Sequence, residues 1–474
     1  MKDYEQLVGA FGEDIIFQPE RRKVREAFPS KTCLQLVLGT VLYTVLEIGP
    51  HDLVIAAPGF SGGEGDRLDA TLVMHGIRLA PGQVTVLKVL SDRTPIRVAL
   101  AWHGEFLDVA DLVRRDADSR LLNDLRLDLV RNMIPLNFLR VIDRATALLH
   151  HTKRVLDQHE VWLNGESVTR KQQEAFDLIW PEWESIEHAA SQAALSFMGD
   201  IATRHAAKRY VEAMLTQHLM GCPMHNRSFH KPLGYPGDFQ TMLYSYRDTF
   251  EGATLFDRVF HRILMKQPLC VGVRTRKDFI VELMKREHDR VRDSRDFHAM
   301  SLGCGPAREV TDYINAGHSG SATWTLIDQE RVTLQVAYTE NRLALARNRM
   351  GGAIKCLNLS FGQLLADTSQ LKGAPAQDFV YCVGLFDYLK EETAQPLVKA
   401  LYDLLRPGGL VAVGNARGPN THFWSLEFVL DWSLLYRSKE DMLKLAKLVP
   451  AEAQVEVTLE PSEAYYFLLV RKPA

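Results

Sequence analysis

Apolar and polar positions change rhythm twice along the chain. Between residues 30 and 105 the segments LQLVLGTVLYTVLEIG, RLDATLVMHGIRL and QVTVLKVL are rich in Val, Leu and Thr, which predicts strands of a small antiparallel barrel or sandwich. APGQ at Ala80–Gln83 reads as the turn between the last two. After Asp108 the rhythm lengthens: from Ile186 the positions Ala190, Ala193, Phe197 and Ile201 recur at spacings of three and four, the stripe of an amphipathic helix. A helical region is thus predicted from 111 to 290, interrupted at 221–239 by GCPMHNRSFHKPLGYPGDF, whose Gly, Pro and Asn content cannot sustain a helix. From 291 to 474 short apolar runs (FHAMSLGC, ATWTLID, AIKCLNL, QDFVYCVGLF, LVAVGNA, YYFLLVR) alternate with helical patterns such as Ala394, Leu397, Val398, Leu401, Leu404 and Leu405. That alternation predicts a mostly parallel sheet covered on both faces, an α/β domain at the C-terminus. The expected organisation is a β-rich module at 1–110, a helical linker or lid region at 111–290 and an α/β domain at 291–474.

Composition narrows this little. A length of 474 residues asks for two or three cores, and 46% hydrophobic with 24% charged residues is an ordinary globular balance. A formal charge of −3 offers no global attraction to a phosphate backbone, so no nucleic-acid partner is expected. KREHDRVRDSR at Lys285–Arg295 alternates signs and reads as a solvated helix face. The six cysteines contain no C-x-x-C pair, so neither a zinc site nor a disulfide framework is indicated, and reduced thiols of a cytoplasmic protein fit best. The N-terminus lacks a basic region followed by an apolar core, and no apolar stretch reaches about 20 residues. A protein neither exported nor membrane-spanning is expected.

SLGCGPAREV at residues 301–310 carries the chemistry. It follows an apolar run and opens a charged helix. Gly303 and Gly305 let the backbone turn sharply and approach a ligand where a Cβ would clash, Pro306 suits the first helical turn, and a helix N-terminus aims free N–H groups at whatever binds. A turn of this kind also closes a strand into a helix with nothing bound. The second strand, WTLID, ends in Asp328, a carboxylate placed to accept both hydroxyls of a ribose. The third position of G-x-G-x-x-G is Arg308, which favours a mononucleoside ligand without a pyrophosphate.

Together Gly303-Cys304-Gly305, Asp328, QDFVYCVGLFDYL and LLRPGGLVAVGN resemble the seven-stranded, Rossmann-like S-adenosylmethionine-dependent methyltransferases over residues 290–474. The resemblance implies S-adenosyl-L-methionine as cofactor, with Ser301, Gly303 and Gly305 along its methionine part and Asp328 on its ribose. Asn358 stands where that family contacts adenine, or caps the next helix; Gly384, Leu385 and Phe386 stand at the mouth of the site. EVTLEPSEAYYFLLVRKP resembles the closing antiparallel hairpin. Ser301 departs from the family pattern, which has an acid there.

Methyl transfer is an in-line displacement, so alignment and exclusion of water dominate, and a carboxylate acceptor needs no base. Asp387 and Tyr388 are the catalytic candidates; Asn415, Arg417 and His422 lie near strand ends or serve as loop and capping residues. HKPLGYPGDFQTMLYSY, SLGCGPAREV, GLFDYL and EFVLDWSLLYRSKEDM resemble a bacterial group described as making the methyl ester of 3-hydroxypalmitic acid, a cell-to-cell signal. On this reading Tyr235, Asp238 and Phe239 belong to a lid, or to a structural loop. Asp431, Trp432, Tyr436 and Arg437 are expected on a helix, with Arg437 pairing an acceptor carboxylate or a surface acid. PERRKVREAF, with Arg21 and Arg25, resembles the start of a PilZ domain, which implies cyclic-di-GMP as a partner of the barrel. The second PilZ motif lacks its serine and glycine, Glu47, Gly49 and Asp52 standing there, so a degenerate barrel that docks a protein partner is the other reading. The expected function is an O-methyltransferase acting on a carboxyl or hydroxyl of a small, lipid-like acceptor, regulated or docked by the barrel. The alternative is a signalling protein that keeps the methyltransferase fold as a cofactor-binding scaffold.

Overall fold

A computed structural model describes residues 5–6, 16–17, 22–28, 34–39, 41–75, 77–90, 96–104, 107–124, 130–160, 165–318, 320–366, 376–418 and 422–474. The chain divides into two compact units, Met1–Leu129 and Val130–Ala474.

In the first unit, β1 (Leu34–Leu38), β2 (Val41–Ile48), β3 (Asp52–Ala56), β4 (Arg67–Met74), β5 (Ile77–Leu90) and β6 (Arg97–His103) pair antiparallel. The order β2-β1-β4-β5-β6-β3 closes on itself through β2–β3, so this six-stranded barrel has no free edge. Alternate positions fill the interior: Leu34, Leu36 and Leu38 on β1, and Val98, Leu100 and Trp102 on β6. Helix α1 (Val109–Asp124) adds Leu112 to that core and Asp116, fully buried against His75 Nε2 at 2.6 Å.

The turn expected at Ala80–Gln83 lies inside β5, where Pro81 faces Thr71. The chain reverses instead after Met74, with His75 left-handed at φ +50°. Gly82 continues the strand because the Trp102 ring occupies the place of its missing Cβ, 2.7 Å away. Arg21 lies outside the described residues, as does the side chain of Arg25. Near the other PilZ position, Gly49 N–H donates to Asp52 O at 2.9 Å, a tight link between β2 and β3.

The second unit opens with α2 (Leu136–Glu160), α3 (Gly165–Leu195), α4 (Ile201–Met214), α5 (Pro223–His230), α6 (Phe239–Arg247), α7 (Leu255–Met265) and α8 (Pro268–Asp289). The stripe from Ile186 does not run on to Ile201: α3 stops at Leu195, and Asp200 starts α4 by accepting from the N–H groups of Ala202 and Thr203. Within the expected break, Pro223 opens α5, where its missing N–H costs nothing.

The sheet follows: β7 (Phe297–Leu302), β8 (Ser321–Asp328), β9 (Gly351–Asn358), β10 (Gln377–Cys382), β11 (Leu405–Ala416), β12 (Gln454–Leu459) and β13 (Tyr465–Arg471). Their order is β9-β8-β7-β10-β11-β13-β12; β7 to β11 run parallel, while β13 is antiparallel to both neighbours. Strand order reverses between β7 and β10, and in sheets of this type ligands sit at the carboxyl ends of the strands flanking that point. Part of the charged run at 285–295 is buried: Glu287 is 2% exposed and binds Arg471 and Arg290 at 2.7 Å each, which ties α8 to β13. No described helix is long and apolar enough to cross a membrane.

Candidate functional site

Three residues shape the turn beyond β7. Gly303 (φ +64°), Gly305 (φ +53°) and Ala307 (φ +48°) are left-handed, and α9 (Arg308–Asn315) begins only after them, so Pro306 precedes the helix rather than opening it. A Cβ on Gly305 would meet nothing within 4 Å, and one on Gly303 only Leu385, at 3.8 Å. The glycines are therefore demanded by φ and not by crowding, and the space above them is open for a ligand.

Asp328, 6% exposed at the end of β8, holds this turn in place. Its Oδ2 accepts from Gly305 N–H and its Oδ1 from Glu330 N–H, both at 3.0 Å. Burial pushes its carboxyl up, and those backbone donors pull it back. Gln329 N–H adds a third such donor, and a carboxylate has about four acceptor sites, so capacity remains for a ligand hydroxyl. Asn358 sits opposite Asp328 in the β8–β9 register and donates to Asp328 O (3.1 Å) and Gln329 O (2.8 Å). The next helix is capped by Ser360, which accepts from Gln363 N–H, so capping is not the role of Asn358.

Ser301 is buried beside Tyr381, its partner in the β7–β10 register, and shares a side-chain hydrogen bond with it. Tyr381 O–H in turn donates to Glu309 at 2.9 Å. Glu309 is 5% exposed in the first turn of α9, and burial pushes its carboxyl up to about 7. A buried acid eight positions after Ser301 is thus joined to it through a tyrosine. The spacing of G-x-G motifs carries no signal for it; a charged residue at an expected helix start read as a surface position.

Three of the residues expected to face an acceptor hold the frame instead. Asp387 is buried, accepts from Ala416 N–H at 2.6 Å, and lies 3.8 Å from Arg276. Asn415, fully buried, donates to Ala416 O (2.9 Å) and Leu435 O (2.8 Å). Among the described residues Arg437 makes no salt bridge with a surface acid. Its guanidinium donates to Phe386 O at 2.7 Å and to Leu389 O and Asn415 Oδ1. This staples the loop after β10 to the end of β11. Nor does the segment carrying Arg437 form the expected helix: Asp431 is left-handed at φ +49°, residues 431–436 are irregular, and α-helix resumes at Lys439. Tyr388 differs from these; it is 39% exposed and accepts from Trp432 Nε1 at 2.8 Å. Arg417 binds Glu463 at 2.9 Å, and the His422 ring lies 5.7 Å from that of His188.

The loop at 231–238 reaches the same place. Asp238, 1% exposed, starts α6 by accepting from Thr241 N–H (3.0 Å) and binds Arg227 at 2.8 Å, whose guanidinium lies over the Phe239 ring at 5.8 Å. Gly237 packs so closely on Trp432 that a Cβ would come within 2.8 Å of its ring and 3.2 Å of Tyr388 Oη. Tyr235 is hydrogen-bonded to Gln329, and burial together with the charges of Asp328 and Glu330 pushes its phenol up. Tyr235 and Asp328, remote in sequence, are therefore neighbours. A cleft of about 410 Å³ opens behind the turn, lined by Leu243, Tyr246, Lys277, Pro306, Arg308 and Val336 among others.

No family model matches the sequence, and no curated protein matches it either. Solved structures are similar in part. A possible exported protein from Bordetella parapertussis aligns at 16% identity over 53% of this chain and 86% of its own, with a TM-score of 0.39. Magnesium protoporphyrin IX methyltransferase from Synechocystis PCC 6803, with bound SAH, aligns at 14% over 50% and 95%, TM-score 0.36. The N-methyltransferase NodS from Bradyrhizobium japonicum WM9, also with SAH, aligns at 15% over 42% and 87%, TM-score 0.28.

Proposed function

We propose that the second unit is an S-adenosylmethionine-dependent methyltransferase. The observation that carries this reading is the junction of β7 and β8: two left-handed glycines under open space, with the second bonded through its N–H to a buried carboxylate on the next strand. The strand order, with its single antiparallel insertion β13, supports it. The residues present fit such a cofactor. Asp328 would hold the ribose hydroxyls, the turn at 303–305 would lie along the methionine part, and Glu309, beside Ser301 through Tyr381, would face the ammonium. When bound, the cofactor supplies a methyl group on a sulfonium. The chain's own task is alignment and exclusion of water, which the loop at 231–238 serves by packing on Trp432 and Tyr388. Asp387 is held by Ala416 and faces Arg276, so we assign it to framing; Tyr388, with its phenolic O–H free to donate, is the residue we place against the acceptor. The reaction we infer is O-methylation of a small acceptor bearing a carboxyl or hydroxyl, with the closed barrel of the first unit as a regulatory or docking module.

Calorimetry with S-adenosylhomocysteine tests the cofactor site. The wild type should bind, and Asp328→Asn should bind about 10- to 100-fold more weakly, the loss expected for charged hydrogen bonds to hydroxyls. Equal binding by the variant, or none by the wild type, overturns the reading.

A further inference from the structure

A buried cation near the end of β10 has no part in the chemistry proposed above. Arg276, on α8, is 6% exposed. A guanidinium carries five N–H donors and stays charged at any pH a protein survives. Among the described residues its only ion-pair partner is Asp387, at 3.8 Å, too far for a hydrogen bond, and its guanidinium lies 4.4 Å from the centre of the Tyr465 ring. A guanidinium only 6% exposed, with no hydrogen bond to the described residues, keeps its N–H donors at the edge of what water can reach, which points to a partner that takes them up.

The local charge count agrees. Arg276 and Arg437 both face Asp387, two guanidiniums on one carboxylate. The other acids that face Arg437, Glu391 and Asp441, stand at the surface, and Asp441 is bound to Lys444 at 2.7 Å. Buried Glu460, behind Tyr465, is taken up by Ser462 and backbone N–H groups, so Arg276 has only a shared Asp387 at the carboxyl ends of β10 and β11. Around it stand three phenols, Tyr246, Tyr388 and Tyr465. The Tyr388 oxygen already accepts from Trp432, so its own O–H remains as a donor. Gly384 completes the place: a Cβ there would come within 3.2 Å of Arg276 Nη2, so glycine leaves the guanidinium its seat at the end of β10.

We infer that Arg276, with Tyr246 and Tyr388, forms a carboxylate-binding site at the switch point of the sheet. A planar guanidinium binds a carboxylate through two parallel N–H···O bonds, and the phenols donate to the remaining lone pairs. Two sources carry that chemistry: the amino-acid carboxylate of the cofactor, and a carboxylate on the acceptor. The inference rests on the methyltransferase reading only for what lies beside the site.

Calorimetry on the full chain and on Arg276→Met separates these sources with four probes: S-adenosylhomocysteine, 5′-methylthioadenosine, which has the nucleoside without the amino acid, decanoate and decan-1-ol. Arg276→Met should weaken one carboxylate probe about 10- to 100-fold, while methylthioadenosine and decanol stay within about twofold. Loss confined to S-adenosylhomocysteine assigns the site to the cofactor, and loss confined to decanoate assigns it to the acceptor. Arg276→Lys should restore part of the affinity. Should Arg276→Met fold poorly, Gly384→Ala crowds the same guanidinium and should give a smaller loss with the same selectivity. Unchanged affinity for both carboxylates in a folded variant overturns the inference. A wild type that takes up no methylthioadenosine defeats the cofactor reading instead, and the decanoate comparison still decides the arginine.

Discussion

Gly305 and Gly352 illustrate two reasons for a glycine. At Gly305 the backbone is left-handed and the space around it empty, whereas at Gly352 a Cβ would come within 1.9 Å of Ala322 O on the neighbouring strand. Gly305→Ala should therefore cost only about 1–2 kcal/mol in a denaturant melt, yet remove most S-adenosylhomocysteine affinity, because its methyl enters the ligand's approach. Gly352→Ala should damage the fold itself. Glu309 gives a second residue-scale prediction. Its carboxyl is raised to about 7 in the folded protein against an ordinary 4.5, so the folded state holds a proton that the unfolded state has released between those values. Its contribution is full below pH 4.5 and is lost as pH rises to about 7. Glu309→Gln keeps an acceptor for Tyr381 and should flatten that loss, gaining on the order of 2–3 kcal/mol relative to wild type between pH 5 and pH 8. Melts at the two pH values check it. Histidines work in the opposite direction: burial lowers His225 to about 3 and His261 to about 4, so they cost stability as pH falls below 6.5.

Among the elements, the connection between α5 and α6 is held at four points. Lys231 binds Asp431 at 2.8 Å, Tyr235 reaches Gln329, Gly237 rests on Trp432, and Asp238 holds Arg227. Two of these depend on the irregular stretch at 431–436. Trp432→Ala removes the ring under Gly237 and the donor to Tyr388, and should speed proteolytic cleavage within 231–237 several-fold while lowering methyl transfer; an unchanged cleavage rate would detach the loop from that ring. Sequence periodicity mistook this stretch for a helix because apolar residues at 426, 429, 430 and 432 mimic one face. What ends the helix is the left-handed Asp431, held by Lys231 and Lys208 from elements some 200 residues away, and such long-range charge pairing has no local signature.

For the molecule as a whole, alternation of apolar runs and amphipathic helices made the C-terminal sheet legible, since a parallel sheet buried on both faces leaves uniformly apolar strands. The glycine turn and Asp328 were legible for the same reason: each stands at the end of such a run. Glu309, Tyr246, Arg276 and Tyr465 were not. They sit on helices or at a hairpin, in charged or aromatic stretches that look like surface, and only the crossing of α8 over β10, β11 and β13 brings three of them to Gly384. The barrel was legible as strands, but its closure was not, because β2–β3 pairing depends on a two-versus-one irregularity at Val45–Glu47 that no alternation pattern encodes.

The buried pair of α3 with the segment after β11 bears on how this unit is made. Glu187 and Ser191 accept hydrogen bonds from the backbone N–H groups of Phe423, Trp424 and Ser425, across more than 230 residues of chain. Glu187 is 1% exposed, and with those partners in place burial still raises its carboxyl to about 7. During synthesis the helical half emerges first, at about 5–20 residues per second, and must keep that carboxyl hydrated for ten seconds or more until residue 425 follows. The contacts of Glu187 and Ser191 with residues 423–425 therefore form late, only after the sheet up to β11 has been made.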